Sequence, residues 1–127
     1  MQARNLFEYA VIRVVPRVER EEFLNVGVIL YCRDQSFLGI RYYIDEGRFS
    51  CFSVDFDLEE INRSLQSFTR ICNGDADAGP IAKFDLASRF RWLTAYRSTI
   101  VQTSRVHPGF CEDAGEKLAD LHAKLVL

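Results

Sequence analysis

Phe7-Glu8-Tyr9-Ala10-Val11-Ile12-Arg13-Val14-Val15 is the stretch on which the fold turns. Its β-branched and aromatic residues suit a pleated strand. Apart from Glu8 and Arg13 both of its faces are apolar, which predicts a place near the centre of a sheet. Pro16 ends it, because proline has no N–H to give to a ladder. Arg17 to Glu22 reads as a charged connector, and Phe23 to Cys32 as the next strand. Leu24, Val26, Val28, Leu30 and Cys32 are expected on one face of it, with Phe23, Asn25, Gly27, Ile29 and Tyr31 on the other. Gly27 inside a strand implies a bulge or a close backbone approach. After the polar turn Arg33 to Ser36, Phe37 to Ile44 makes a third strand with Leu38, Ile40, Tyr42 and Ile44 on one face. Three strands with short connections predict an antiparallel meander. Asp45 to Ser53 is ambiguous, with room for a fourth short strand around Phe49 to Phe52.

The clearest helix spans Leu58 to Cys72, where Leu58, Ile61, Leu65, Phe68 and Cys72 form one apolar stripe. Asp57 with Glu60 resembles a capping box, and Asn73-Gly74 supplies a left-handed stop. The acidic loop Gly74 to Pro80 lacks the ligand spacing and closing Glu of a calcium loop. Asp85 can cap a helix from Leu86 to about Ala95, with Leu86, Phe90 and Leu93 inward and Arg89 beside them. Thr99 to Thr103 reads as a strand, and Val106 to Cys111 as a turn around Pro108-Gly109. A final helix from Asp113 to Val126 places Leu118, Leu121 and Leu125 inside, with His122 at the surface or half buried. The expected architecture is α+β: a small, mainly antiparallel sheet of roughly three to five strands, covered in two layers by about three helices.

The chain has 127 residues, the size of one domain. A net charge of −2 gives no global field towards nucleic acid or an anionic membrane. Of 16 basic residues only Lys83, Lys117 and Lys124 are lysines, leaving 13 arginines. Arginine's planar fork suits carboxylates, phosphates and buried polar networks. The N-terminal residues lack a signal-peptide core, and no apolar run reaches the roughly 20 residues of a membrane span. Cytoplasm is therefore the expected location. The four cysteines, Cys32, Cys51, Cys72 and Cys111, show no CxxC pairing and read as buried small hydrophobes. A metal at His107 and Cys111 would need two further ligands from distant segments, so no metal or cofactor is expected.

Arg89 to His107 concentrates four arginines, the only tryptophan and a run of hydroxyl and amide side chains. Arg97, Ser98 and Thr99 fall at a helix-to-strand junction, where a guanidinium, two hydroxyls and backbone amides can cradle an oxyanion. Gln102 is a semi-buried amide that needs a partner. His107, held extended before Pro108, is a candidate proton shuttle. No strained Gly-x-Ser-x-Gly elbow accompanies these hydroxyls. A second polar concentration, Arg13 to Asn25, puts an arginine and an unusual strand amide near Gly27. The candidate site is therefore Arg13, Asn25, Arg97, Ser98, Gln102 and His107. The competing interpretation is a hydrogen-bond network that pins helix to strand.

Two segments carry a resemblance. Tyr9-Ala-Val-Ile-Arg-Val-Val-Pro-Arg-Val-Glu-Arg-Glu-Glu-Phe-Leu-Asn-Val-Gly-Val-Ile-Leu, with Arg89-Phe-Arg-Trp-Leu-Thr through Arg97-Ser-Thr-Ile-Val-Gln-Thr-Ser and His107, resembles the uncharacterised bacterial domain-of-unknown-function family 3037. The family pattern has proline before Arg-Ser-Thr, where this chain has Tyr96. The resemblance implies a small bacterial cytoplasmic protein, some of whose relatives are encoded beside HipA-like kinases. It supplies no catalytic residues. The expected function is an accessory or regulatory binding protein that engages a kinase-like partner or an anionic small ligand through Arg89 to His107. The alternative is an enzyme acting on a phosphorylated or nucleotide substrate, with Arg97 and Gln102 on the anion and His107 moving protons.

Overall fold

Strand β1 (Asn5–Val14) is the axis of the sheet in the computed structural model, which describes residues 4–16, 22–50, 57–97 and 99–127. β1 pairs antiparallel with β2 (Leu24–Cys32), and β2 with β3 (Phe37–Tyr42). On its other side β1 pairs with β4 (Val101–Thr103) and, further along, with β5 (His107–Cys111). The path is β3-β2-β1-β4, with β5 also on β1. The central position of β1 agrees with its two apolar faces, and the meander with the short connections. The expected connector at Arg17 to Glu22 falls mostly outside the described residues.

Helices complete an α+β fold of five strands and four α-helices among the described residues: α1 (Glu46–Phe49), α2 (Leu58–Asn73), α3 (Leu86–Leu93) and α4 (Ala114–Leu125). One face of the sheet packs Ile12, Val14 and Ile29 against Ile61, Leu65 and Phe68 of α2 and Phe90 and Leu93 of α3. The other packs Phe7, Val28, Leu30 and Cys32 against Ala114 and Leu118 of α4. α4 thus adds a third layer to the two that were expected.

The ladder corrects the expected faces of β2. Ile12 pairs with Gly27 but Arg13 pairs with Asn25, so Val26 is the extra residue of a bulge. Alternation slips there. Leu24 and Val26 join the α2–α3 core, while Val28, Leu30 and Cys32 face α4. A Cβ on Gly27 would lie 2.7 Å from the Arg41 carbonyl oxygen and 2.8 Å from Tyr42 Cβ. Bulge and close approach occur together.

Each α-helix starts on an aspartate whose carboxylate accepts a first-turn N–H. Asp57 accepts from Glu60 N at 3.1 Å, Asp85 from Ser88 N at 2.8 Å and Asp113 from Glu116 N at 2.8 Å. Asp45 does the same for Gly47 and starts α1 in the stretch that the sequence left ambiguous; of the short strand it left room for, Cys51 and Phe52 lie outside the described residues. Two helices end under guanidinium groups. Arg89 Nη1 donates to the carbonyls of Ile71 and Cys72 on α2, and Arg48 Nη1 donates to that of Val126 just past α4.

Residues expected as a turn form β5 instead. Pro108 is tolerated because β5 is an edge strand, where a missing N–H costs no ladder bond. Gly109 admits the ring of Phe7, since a Cβ there would sit 2.6 Å from Phe7 Cζ. The described cysteines Cys32, Cys72 and Cys111 are free and buried, and burial pushes the Cys72 thiol up to about 12. No helix among the described residues is long and apolar enough to cross a membrane.

His122 is 8% exposed, where a surface or half-buried place was expected. The inner stripe of α4 is Ala114, Leu118 and His122, with Leu121 and Leu125 half buried. Burial, reinforced by the positive charge of Arg41, holds the imidazole below the ordinary histidine range, and Nε2 has no hydrogen-bond partner among the described residues. The unfolded chain therefore binds a proton that the folded one refuses. Stability is complete above about pH 6.5 and falls as pH drops below it, until the folded imidazole also protonates. In urea titrations across that range His122→Leu is expected to flatten this part of the pH dependence. An unchanged profile would contradict the assignment.

Candidate functional site

The five described sequence candidates, Arg13, Asn25, Arg97, Gln102 and His107, divide between the two faces of the sheet. Register puts Asn25, Arg13 and Gln102 in one row across β2, β1 and β4. The Arg13 guanidinium lies 3.8 Å above the Phe23 ring, and burial lowers its pKa. Asn25 Nδ2 donates to the Leu125 carbonyl at 3.2 Å, towards the end of α4. Arg13 Nε and Asn25 Oδ1 are buried without hydrogen-bond partners among the described residues. Gln102 Nε2 donates to its own segment, at Thr99 O (2.8 Å).

His107 is on the same face but apart from that row. It pairs with Tyr9, the ring centroids 5.3 Å apart, and Tyr9 packs on the α4 side. Four residues of strand separate Tyr9 from Arg13, roughly 13 Å. Ser98 lies outside the described residues.

Arg97 belongs to the opposite face. Its Nη2 donates to Trp92 O at 2.7 Å, and its Nη1 to Leu93 O at 2.8 Å and, more weakly, to Ala95 O at 3.4 Å. These are carbonyls at the end of α3, so Arg97 does for α3 what Arg89 does for α2. Its guanidinium also lies over two rings, Trp92 at 4.6 Å and Phe68 at 5.0 Å. α3 stops at Leu93 and β4 starts at Val101, leaving Arg97 in a longer connector than the spacing predicted.

Beside Arg97 is a groove of about 400 Å³ between α2 and the residues Arg97, Thr99, Ile100 and Val101. Glu60, Arg63, Ser64 and Ser67 line it from α2, Arg97 and Thr99 from the connector. Among the described residues Arg97 has no carboxylate partner, and burial alone lowers its pKa. It stays charged. Two cations and the hydroxyls of Ser64 and Ser67 around a groove can bind an oxyanion through hydrogen bonds, those to arginine charge-assisted. The Thr99 hydroxyl already donates to Val101 O at 2.8 Å. Glu60 at the rim opposes that. Arg63, Ser64 and Ser67 were not singled out in the sequence, although their spacing puts them on one flank of α2 beside the Ile61–Leu65–Phe68 stripe. Among the described residues no cluster of His, Cys, Asp and Glu is arranged to hold a metal ion.

Fold and groove together define an α+β protein with an open antiparallel sheet and, on its α2–α3 side, a groove of mixed polar and apolar lining. The chain belongs to the family described as Protein of unknown function (DUF3037), matched over residues 9–126. No curated protein and no solved structure matches it.

Proposed function

We propose that this is a bacterial, cytoplasmic accessory or regulatory binding protein that holds an anionic group in the groove between α2 and Arg97. The observation that carries the reading is the half-buried guanidinium of Arg97. It is stacked, partly desolvated and without a described carboxylate partner, beside Arg63, Ser64, Ser67 and Thr99. Its bonds to α3 use N–H groups of both Nη1 and Nη2 but fix the guanidinium. The remaining N–H groups are thus held in place before any ligand arrives, which lowers the ordering cost of binding.

The anionic group is carried by a small molecule or displayed by a protein partner, the HipA-like kinase being the kind that the family resemblance implies. Trp92, Tyr96 and Ile100 near Arg97 are 39%, 86% and 36% exposed, and aromatic residues with arginine are enriched at interfaces. The enzymatic alternative has less support, because His107 and Arg97 stand on opposite faces of the sheet.

Calorimetric titration with inorganic phosphate and with citrate, at low ionic strength, tests the reading. Arg63→Ala is expected to weaken binding about tenfold, the equivalent of about 1.4 kcal/mol. Arg63 makes no described hydrogen bond or ion pair, so its loss leaves the fold intact. Arg97→Lys should weaken it further, because an ammonium cannot bond the α3 carbonyls and still offer donors to the anion. No heat with either anion would overturn the proposal.

A further inference from the structure

Glu8 interrupts the apolar alternation of β1 on the side of the sheet that faces α3. Register places it between Tyr31 on β2 and Pro108 on β5. Next to that row Leu6 pairs with Phe110, and the two remain 50% and 63% exposed. α3 overhangs with Ala87 and Arg91, and the turn after β2 brings up Arg33 and Asp34. The result is a hollow of about 600 Å³, within the size range of small-molecule sites. It is separate from the groove at Arg97.

The charges around this hollow are balanced but not paired. Glu8 and Asp34 face Arg33 and Arg91, two of each sign. None of the four forms an ion pair among the described residues. Glu8 is half buried on the central strand and is the least exposed of the four, Arg33, Asp34 and Arg91 all being exposed. The wall beside it is rigid, because Tyr31 stacks on the fully buried Phe90 with centroids 5.6 Å apart. A ligand with no net charge and both signs would satisfy such a lining. An isolated cation or anion would leave half of it unanswered.

We infer that this hollow binds a small zwitterion of the α-amino-acid class. Glu8 takes the ammonium, Arg91 and Arg33 take the carboxylate, and the side chain lies against Leu6, Ala87 and the Tyr31 ring. Arginine suits the carboxylate end because its fork matches two oxygens at once. Asp34, next to Arg33, supplies an acceptor for a second cationic group.

The test is thermal-shift and calorimetric titration of the intact protein with free amino acids at millimolar concentration, beside their N-acetyl and C-amide forms. At least one free amino acid is expected to bind, and both of its singly charged forms to bind about tenfold more weakly or not at all. Glu8→Gln and Arg91→Ala should each weaken the free amino acid about tenfold. Both should leave phosphate binding unchanged, which separates this site from the groove. Arg91 is exposed, so its variant folds even if Glu8→Gln does not. Absence of binding by every free amino acid overturns the inference, as does binding that survives Arg91→Ala undiminished or is equally tight for the capped forms.

Discussion

Phe90→Ala is expected to cost about 3–5 kcal/mol of folding stability. Phe90 is wholly buried at the centre of the core between α2, α3 and the sheet, and its ring stacks on Tyr31 at 29°. α3 has only eight residues, too few to be stable on its own propensity. Phe90, Leu93 and Arg89 are its buried residues, so truncating the largest removes much of its hold on the sheet. The loss should exceed that of Phe90→Leu, about 1 kcal/mol, because leucine refills most of the volume. In urea the midpoint should move with the slope unchanged. A loss below about 1 kcal/mol for alanine would mean that α3 is not packed as described. Both proposed sites depend on α3, since Arg91 lines one and Arg97 is fastened to its end. Phe90→Ala should therefore weaken phosphate and amino-acid binding together, whereas Arg63→Ala and Arg91→Ala should separate them.

Much of this frame was legible from local chemistry. β1, β3, α2 and α4 were readable because alternation, three-four spacing, aspartate caps and the Gly74 stop all act within a few residues. β5 was not. Pro108-Gly109 is a turn signal in isolation, and only the edge position and the ring of Phe7 give those residues a reason to be extended. The faces of β2 were half legible. Gly27 signalled an irregularity, but which residue would be extra depends on the Ile12–Gly27 pairing across the ladder. His122 was misplaced because the leucine spacing of α4 suggested a stripe one step around the helix.

The candidate site was legible as composition and not as geometry. Arg13, Asn25 and Gln102 do share a row, but Arg97 is on the other face because the connector after α3 turns its side chain back onto that helix. The groove beside it draws three residues from the flank of α2, about 30 positions earlier, and no local pattern could have joined them. The arginine excess has a partial structural answer. Arg48, Arg89 and Arg97 each bind carbonyls at a helix end, a task for a planar donor fork.

Arg89→Ala tests that answer where it is most exposed to failure. Arg89 is 9% exposed, and Nη1 donates to Ile71 O and Cys72 O, both at 3.1 Å. A charged donor on two buried carbonyls is worth more than a neutral one, and its loss leaves acceptors that water reaches poorly. The expected cost is roughly 3 kcal/mol, with Arg89→Lys intermediate because it keeps the charge without the fork. Gly74 makes the test sharper. It ends α2 at φ 69°, and a Cβ there would lie 2.6 Å from Arg89 Nη1. Gly74→Ala should therefore cost about 1–2 kcal/mol alone, part from the left-handed backbone and part from the clash. In the Arg89→Ala background the clash disappears and only the backbone part remains. The double variant should then be more stable than the sum of the single losses predicts, by about 0.5–1 kcal/mol. Strict additivity would show that the guanidinium does not lie over the end of α2.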